Sequence, residues 1–166
     1  MRVALAQINP LIGDLEGNAS LILKAASQAA QVKADLVVTP ELSLLGYPPR
    51  DLLLQPRLGQ SQVQSLDMIS REMPKGINVL VGISERVDDI GQPNQFNSIA
   101  LVNSESWRVV ARKRLLPTYD VFDERRYFQP SSKPWLIELK CNNRIWKIGL
   151  TICEDLWVKD DIHIYR

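Results

Sequence analysis

An alternation of apolar strand, helix and apolar strand within the first 40 residues is the feature that most restricts the fold of this chain. Residues 2–8, RVALAQI, form a short apolar run that ends at a proline, which cannot donate a backbone hydrogen bond. Residues 19–32 place apolar side chains at helical spacing, with Asn18 or Ser20 available as the helix cap. Residues 35–39, DLVVT, then predict a buried strand before a second proline. Such a β-α-β unit predicts a sheet that is covered by helices.

The rest of the chain continues this pattern. Residues 42–57 contain one glycine and three prolines, so they predict a long loop with short helical turns directly after a buried strand. Loops in such places often carry functional sites. A second helix is predicted at residues 60–71, and further strands are predicted at 78–85, 97–102, 108–113, 135–139 and 145–152. The sequence therefore predicts an α/β layered domain with a large sheet.

Composition limits the partners and the compartment of the protein. The chain has 166 residues, of which 45% are hydrophobic, and this suffices for one domain with a substantial core. A net charge of +1 without a basic block favours neither nucleic acid nor an anionic membrane as a partner. No apolar run approaches the roughly 20 residues that cross a bilayer, and no signal peptide is recognisable, so we expect a cytoplasmic protein. Two cysteines and one histidine without ligand spacing predict neither a metal site nor a disulfide framework.

The end of the sequence bears on the completeness of the domain. The strand predicted at residues 145–152 is as apolar as strands inside a sheet, yet only residues 153–166 follow it. These residues have room for one short helix, which would leave the sheet poorly covered. We therefore expect the chain to be the N-terminal portion of a larger domain.

Three residues with reactive side chains lie near predicted strand ends or breaks in the chain pattern, which are common places for functional sites. Glu41 follows a buried strand, Lys113 lies in the mixed run ARKRLLPTYDVFDERRYF, and Cys153 lies where an apolar strand meets a predicted helix. Each has a structural alternative: a solvated loop carboxylate, a salt-bridged connector or a buried small hydrophobe. The helix N-terminus after Cys153 is expected to lower the thiol pKa, whereas Glu154 and Asp155 oppose thiolate formation unless one accepts the proton.

Together the three residue types fit the attack of a thiol on a carboxamide. A thiol nucleophile needs a base that accepts its proton and later returns it to the leaving amine. It also needs a fixed cation or N–H donors that stabilise the oxyanion. Glu41, Lys113 and Cys153 can fill these roles. A cysteine–histidine pair is a weak alternative, because the only histidine, His163, lies beyond the last predicted strand and is interpreted as a helix-surface residue.

Three stretches of the sequence resemble the nitrilase, or carbon-nitrogen hydrolase, superfamily, and within it the glutaminase domains of the glutamine-dependent NAD synthetase family. They are VVTPELSLLGYPPRDLL around Glu41, KRLLPTYDVFDERRYFQP around Lys113 and GLTICEDLW around Cys153. The resemblance runs from the first strand to the last residue, and the central stretch is more specific than the three residues alone. It implies a four-layer α-β-β-α sandwich, of which residues 1–166 supply the N-terminal portion of a glutaminase domain, with the synthetase domain absent.

The resemblance also implies catalytic roles. By this resemblance Glu41 is the general base, and Lys113 is the cation that stabilises the oxyanion. Cys153 is the nucleophile that forms a thioester with the side-chain carbonyl of glutamine. Glu124 matches a second glutamate that orients the lysine and the substrate amide. No metal ion is implied.

Four further residues match positions that line the glutamine pocket in this family: Tyr47, Tyr119, Phe122 and Glu154. Tyr119 resembles a glutamine-binding residue, and Glu154 is in the place that receives the α-ammonium group of glutamine. Structural alternatives are open for this set. Tyr47 and Phe122 can be packing residues only, and Glu154 can simply neutralise a nearby cation.

Members of this family continue beyond the resembling region and then carry an ATP-binding synthetase domain. The resemblance therefore implies ATP and Mg²⁺ only in that missing domain, and no cofactor within residues 1–166. The implied partners are L-glutamine and a synthetase domain that receives ammonia, and the intact protein is expected to be a homo-oligomer. Two alternatives are open: a free-standing nitrilase-type amidase that acts on another small amide, and an inactive fragment.

Overall fold

A computed structural model of the protein describes residues 1–88 and 90–157, so the predicted position of His163 lies outside the described residues. The helices are α1 (Leu15–Gln31) and α2 (Leu58–Glu72), and the strands are β1 (Val3–Leu5), β2 (Leu36–Val38), β3 (Asn78–Arg86), β4 (Gln95–Val102), β5 (Trp107–Arg112), β6 (Trp135–Cys141) and β7 (Arg144–Leu150). Short 3₁₀ segments span Arg50–Leu54, Glu124–Arg126 and Cys153–Leu156. None of the described helices is long and apolar enough to cross a membrane.

Two sheets lie face to face, and both helices cover the outer face of the larger sheet. In the described residues β1 to β5 form this sheet in sequence order, parallel from β1 to β3 and antiparallel from β3 to β5. The strands β6 and β7 form an antiparallel hairpin. One apolar cluster joins the helices to the large sheet, and a second joins the opposite face of that sheet to the hairpin. The layer order is therefore α-β-β, which confirms the predicted α/β class.

Helix α1 begins earlier than the sequence predicts. Its cap is Asp14, whose carboxylate accepts a backbone N–H of the first turn at 2.9 Å, and not Asn18 or Ser20. Asn18 lies inside the helix and is buried, with its side chain bonded to the backbone of Leu11 and Leu44. The Asn18 side chain therefore joins helix α1 to two loops and does not mark the start of the helix.

The layers bring together three turns that carry the candidate residues. Glu41 lies shortly after the end of β2, Lys113 directly follows β5, and Cys153 lies shortly after β7. The large sheet supplies the first two turns and the hairpin supplies the third. A site at this place is therefore built between the two sheets.

Candidate active site

Glu41 lies on a tight turn that is fastened to β3. The next residue, Leu42, has a left-handed φ of 49°, so the chain reverses sharply after β2. The hydroxyl groups of Thr39 and Ser43 are hydrogen-bonded at 2.6 Å, and Ser43 Oγ accepts the backbone N–H of Gly82 at 3.1 Å. These bonds on both sides of Glu41 fix the direction in which its carboxylate leaves the backbone.

Gly82 is the position in β3 where a side chain would disrupt this turn. A Cβ atom at Gly82 would lie 2.3 Å from the backbone nitrogen of Leu42 and 2.6 Å from the carbonyl oxygen of Pro40. Backbone atoms cannot rotate away, so Gly82→Ala should displace the Glu41 turn and cost about 1–3 kcal/mol of unfolding free energy. We expect thermal unfolding and amide-hydrolysis assays to show a lower midpoint and a lower rate.

The control for this substitution is Gly149→Ala in β7, where an added Cβ meets no atom within 4 Å. This variant should unfold close to the wild-type midpoint. If Gly82→Ala unfolds at the wild-type midpoint and retains the wild-type rate, the turn is not held as the close approach implies.

Lys113 is the buried centre of the site. Its side chain is fully enclosed, and Nζ lies 2.7 Å from Glu41 Oε1 and 2.9 Å from Glu124 Oε1. Burial by itself lowers the pKa of Lys113, but the two carboxylates outweigh burial and the net pKa is raised. Lys113 therefore stays a cation at neutral pH and neutralises two carboxylates that would otherwise repel each other.

Glu124 is the second buried carboxylate at the lysine. Its Oε1 accepts hydrogen bonds from Lys113 and, at 3.0 Å, from the hydroxyl of Tyr47. Burial raises the pKa of Glu124, and Glu41 adds to this rise while Lys113 opposes it. Its other oxygen, Oε2, is buried without a hydrogen-bond partner. Burial and the neighbouring Glu124 also raise the pKa of Tyr47, so this hydroxyl is a donor at neutral pH.

Cys153 lies at a sharp turn after β7. Its φ of 45° is left-handed, which is uncommon for a residue other than glycine, and the residue is exposed. Partial burial of the thiol, followed by the Glu41 carboxylate, raises the pKa of Cys153, while Lys113 opposes the rise. The predicted lowering of this pKa is therefore wrong, because burial and Glu41 outweigh it. Within the described residues, a four-residue 3₁₀ segment begins here. A protonated thiol needs a base, and the Glu41 carboxylate lines the same cavity as Cys153.

Asp155 fastens the Cys153 turn to the segment that follows β5. Its Oδ1 accepts the backbone N–H groups of Arg114 and Leu115 at 2.9 and 2.8 Å. Its Oδ2 accepts the backbone N–H of Ile152 at 3.1 Å. From the sequence, Asp155 is predicted only to be a charge beside the thiol, whereas in the structure its carboxylate holds two turns together.

Asn97 is a buried polar residue that the sequence analysis missed. It lies within β4 and donates from Nδ2 to Glu41 Oε1 at 2.6 Å. The available signal was one amide side chain in the apolar strand NSIALV. Because Asn97 is the first residue of the predicted strand, nothing in the sequence distinguishes it from the polar residues of the preceding loop.

The four predicted pocket residues form one continuous series of contacts. The hydroxyl of Tyr119 donates to Glu154 Oε2 at 2.9 Å, and this bond raises the pKa of Tyr119. The ring of Tyr119 meets Phe122 edge to face, with centroids 5.6 Å apart, and Phe122 lies 6.5 Å from the ring of Tyr47. Since Tyr47 bonds Glu124, the aromatic series leads directly to the buried carboxylate cluster.

Two cavities adjoin this cluster. One, of about 380 Å³, is lined by Glu41, Asn97 and Cys153 together with apolar side chains of both sheets. The other, of about 400 Å³, is lined by residues that include Tyr47 and Glu124. Both volumes are in the range that binds small molecules. Within residues 1–88 and 90–157, no group of three or more histidine, cysteine, aspartate or glutamate side chains is arranged to hold a metal ion.

A carboxylate, a buried ammonium group and a thiol between two sheets are the groups that cysteine-dependent amide hydrolysis requires. The class of protein follows from comparison with known families. The chain belongs to the carbon-nitrogen hydrolase family, because the model of that family matches residues 2–166. This match confirms the predicted superfamily and the predicted class of enzyme.

Individual relatives are more specific than the family. The chain is 44% identical over 158 residues to a glutamine-dependent NAD(+) synthetase of Synechocystis sp., covering 93% of this chain and 28% of that protein. A solved glutamine-dependent NAD+ synthetase of Acinetobacter baumannii is 37% identical, with a TM-score of 0.80 over 93% of this chain and 28% of that one. An amidase of Nesterenkonia sp. is 25% identical, with a TM-score of 0.67 over 93% of this chain and 56% of the amidase. These findings confirm the predicted likeness to glutamine-dependent NAD synthetases and the nitrilase type of fold.

Proposed function

We propose that this chain is the glutaminase portion of a glutamine-dependent NAD synthetase, which hydrolyses the side-chain amide of L-glutamine and supplies the ammonia for NAD synthesis. One observation carries the proposal: the ammonium group of Lys113 lies between the carboxylates of Glu41 and Glu124, next to the turn that presents Cys153. The names of the relatives support glutamine as the substrate. Because the chain spans 28% of the Synechocystis relative, the activity of the whole protein is part of this proposal.

The first step is the activation of the thiol. The raised pKa of Cys153 keeps the thiol protonated at rest, so the proton must leave as the sulfur attacks. Glu41 accepts this proton while the sulfur bonds to the amide carbon of glutamine. The carbonyl π electrons move onto the oxygen, and an oxyanion forms.

Lys113 acts on the charge that this attack creates. Its ammonium group is buried and fixed by two carboxylates, so it stabilises an adjacent oxyanion without having to reorganise. When the tetrahedral intermediate collapses, Glu41 returns the proton to the amide nitrogen, and ammonia leaves with the electrons of the C–N bond. Water then attacks the thioester on Cys153, with Glu41 accepting its proton. The C–S bond breaks with its electrons on sulfur, Glu41 returns the proton to the Cys153 thiol, and glutamate is released.

The remaining residues bind the substrate. The buried Oε2 of Glu124 lacks a hydrogen-bond partner, which suits an N–H group of the substrate amide. Glu154 receives the α-ammonium group of glutamine, with the hydroxyl of Tyr119 holding this carboxylate in place. Tyr47 and Phe122 supply the aromatic wall along the aliphatic part of the substrate.

In the intact protein the released ammonia is used by a synthetase domain. We assign ATP and Mg²⁺ to that domain and no cofactor to residues 1–166. A cytoplasmic location and assembly into a homo-oligomer belong to the same proposal. The synthetase reaction requires an activated nicotinate dinucleotide, whose carboxyl group accepts the ammonia as an amide.

The test is a substrate comparison with the intact protein. We expect release of glutamate and ammonia from L-glutamine, and formation of NAD when nicotinate adenine dinucleotide, ATP and Mg²⁺ are also present. L-asparagine is one methylene shorter, so its kcat/KM should be about 10- to 200-fold lower than that of glutamine. Ammonia release is measured with a coupled assay for each amide.

Each other outcome contradicts the proposal in a distinct way. Turnover of a simple aliphatic amide without turnover of glutamine would identify a free-standing amidase. Release of ammonia without any NAD formation would remove the synthetase part of the proposal. No turnover of any amide by a folded protein would identify an inactive relative.

A further inference from the structure

Asn97 is placed by the backbone of β4 at the centre of the candidate site. It lies opposite Ser84 of β3, and its carbonyl oxygen accepts the backbone N–H of Lys113 at 2.8 Å. The residue is 1% exposed, and β4 is hydrogen-bonded to β3 on one side and to β5 on the other. The sheet therefore fixes Asn97 relative to the lysine before any side-chain contact is made.

The side chain of Asn97 makes one described hydrogen bond, and this bond is to Glu41. Nδ2 donates to Oε1 at 2.6 Å, while Oδ1 is buried without a partner. An amide can approach a carboxylate only with its NH₂ group, so this orientation follows from the chemistry of the pair. Burying an amide with half of its hydrogen-bonding capacity unused disfavours folding. A contribution to folding stability therefore does not explain why an asparagine is present at this position. The hydrogen bond to Glu41 explains it.

The two oxygens of Glu41 have different surroundings. Oε1 accepts both Asn97 Nδ2 at 2.6 Å and Lys113 Nζ at 2.7 Å. Two strong donors at one oxygen make that oxygen a poor proton acceptor. Oε2 is then the oxygen that can take a proton from the thiol of Cys153, which lines the same cavity as Glu41 and Asn97.

We propose that Asn97 is a positioning residue that holds Glu41 with Oε1 toward Lys113 and presents Oε2 to Cys153. Lys113 alone leaves this orientation undetermined, because a compact ammonium group with three equivalent donors can bond either oxygen of Glu41 while it also bonds Glu124. The planar amide on a rigid strand supplies the missing restraint. The consequence for glutamine rests on the proposed function, whereas the consequence for the reactivity of Cys153 does not.

The first experiment compares two replacements of buried amides in β4 of the intact protein. Asn97→Leu removes the donor to Glu41, and Gln95→Met removes an amide two residues away that bonds Leu53 and Ser84 instead. We expect Asn97→Leu to lower kcat for glutamine about 10- to 100-fold, the size of effect seen when a reacting group is misplaced. KM should stay within about threefold, because the binding contacts are retained. Gln95→Met should keep the wild-type kcat, and thermal unfolding shows whether both variants are folded.

The second experiment measures Cys153 without glutamine. The rate of alkylation by iodoacetamide is followed at the Cys153 peptide by mass spectrometry. We expect Asn97→Leu to react several-fold more slowly than the wild type, because the base is no longer aligned with the thiol. In a Glu41→Gln background the Asn97 substitution should have no further effect, since the group through which it acts is gone. Asn97→Ala replaces the leucine variant if that protein does not fold.

These readouts separate the two proposals. If wild-type protein does not hydrolyse glutamine but Asn97→Leu slows alkylation only when Glu41 is present, the proposed function fails and the positioning role stands. If Asn97→Leu has the wild-type kcat and alkylation rate, the positioning role is wrong. An equal effect of Asn97→Leu with and without Glu41 also overturns it, because the residue would then act through the fold.

Discussion

Replacing Cys153 with alanine is expected to abolish glutamine hydrolysis by the intact protein. The other cysteine of the described residues, Cys141, is buried between the two sheets and cannot reach a substrate. Removal of a catalytic nucleophile typically lowers kcat by about 10⁴- to 10⁶-fold, and we expect a loss of this order. Ammonia and glutamate release from L-glutamine measures it. Synthesis of NAD from free ammonium should be largely retained, because in the proposed function Cys153 serves only the step that generates ammonia.

The control is Cys141→Ala, which removes a buried thiol of the same size from the hydrophobic interface of the sheets. This variant should hydrolyse glutamine at close to the wild-type rate, apart from any loss of folded protein. Glutamine hydrolysis by Cys153→Ala would show that another group is the nucleophile. Loss of ammonium-supported synthesis in Cys153→Ala would show that the two half-reactions are not divided as proposed.

Replacing Lys113 with alanine is expected to lower kcat by about 100- to 1,000-fold, the loss typical of one oxyanion-stabilising donor. The same change leaves Glu41 and Glu124 facing each other without a cation, so about 3–5 kcal/mol of stability is also at risk. Steady-state kinetics on glutamine and thermal unfolding measure the two effects. Lys113→Arg should restore little, because a planar guanidinium does not fit the fully enclosed site of a compact ammonium group.

Lys147 provides the matched control, since it is an exposed lysine that pairs with Glu138 at 3.8 Å. Lys147→Ala should change neither kcat nor the unfolding midpoint appreciably.

Glu124→Gln keeps the shape of the side chain but removes its charge, so an intermediate loss dominated by kcat is expected. A near-normal kcat in folded Lys113→Ala would show that backbone donors alone stabilise the oxyanion.

The positions of the site residues along the fold could be predicted, because the strands before them are strongly apolar and their ends are visible in the sequence. Glu41 and Cys153 follow such strands in the structure as predicted, whereas Lys113, predicted as the last residue of a strand, directly follows β5. Their assignment to one site rested on the chemistry of the three side chains and on the resemblance. The catalytic roles stay predictions that the substitutions above test.

The supporting residues could not be predicted, since their partners are remote in the sequence. Asn97 bonds a carboxylate 56 positions away, and Asp155 bonds backbone groups 40 and 41 positions away. Nothing in the local pattern distinguishes either residue from a polar residue at the end of a strand. The raised pKa of Cys153 is a similar case, because its two largest causes are burial and Glu41, which is remote in the sequence.

The most direct test of the account is the detection of an acyl intermediate on Cys153. The intact protein is mixed with L-glutamine, quenched with acid during turnover and analysed by peptide mass spectrometry. We expect the peptide containing Cys153 to gain the mass of one glutamyl residue, and we expect hydroxylamine to remove this mass, as it does from a thioester. The peptide containing Cys141 should be unchanged. Turnover of glutamine without an adduct on Cys153, or with an adduct on a different residue, would contradict the account.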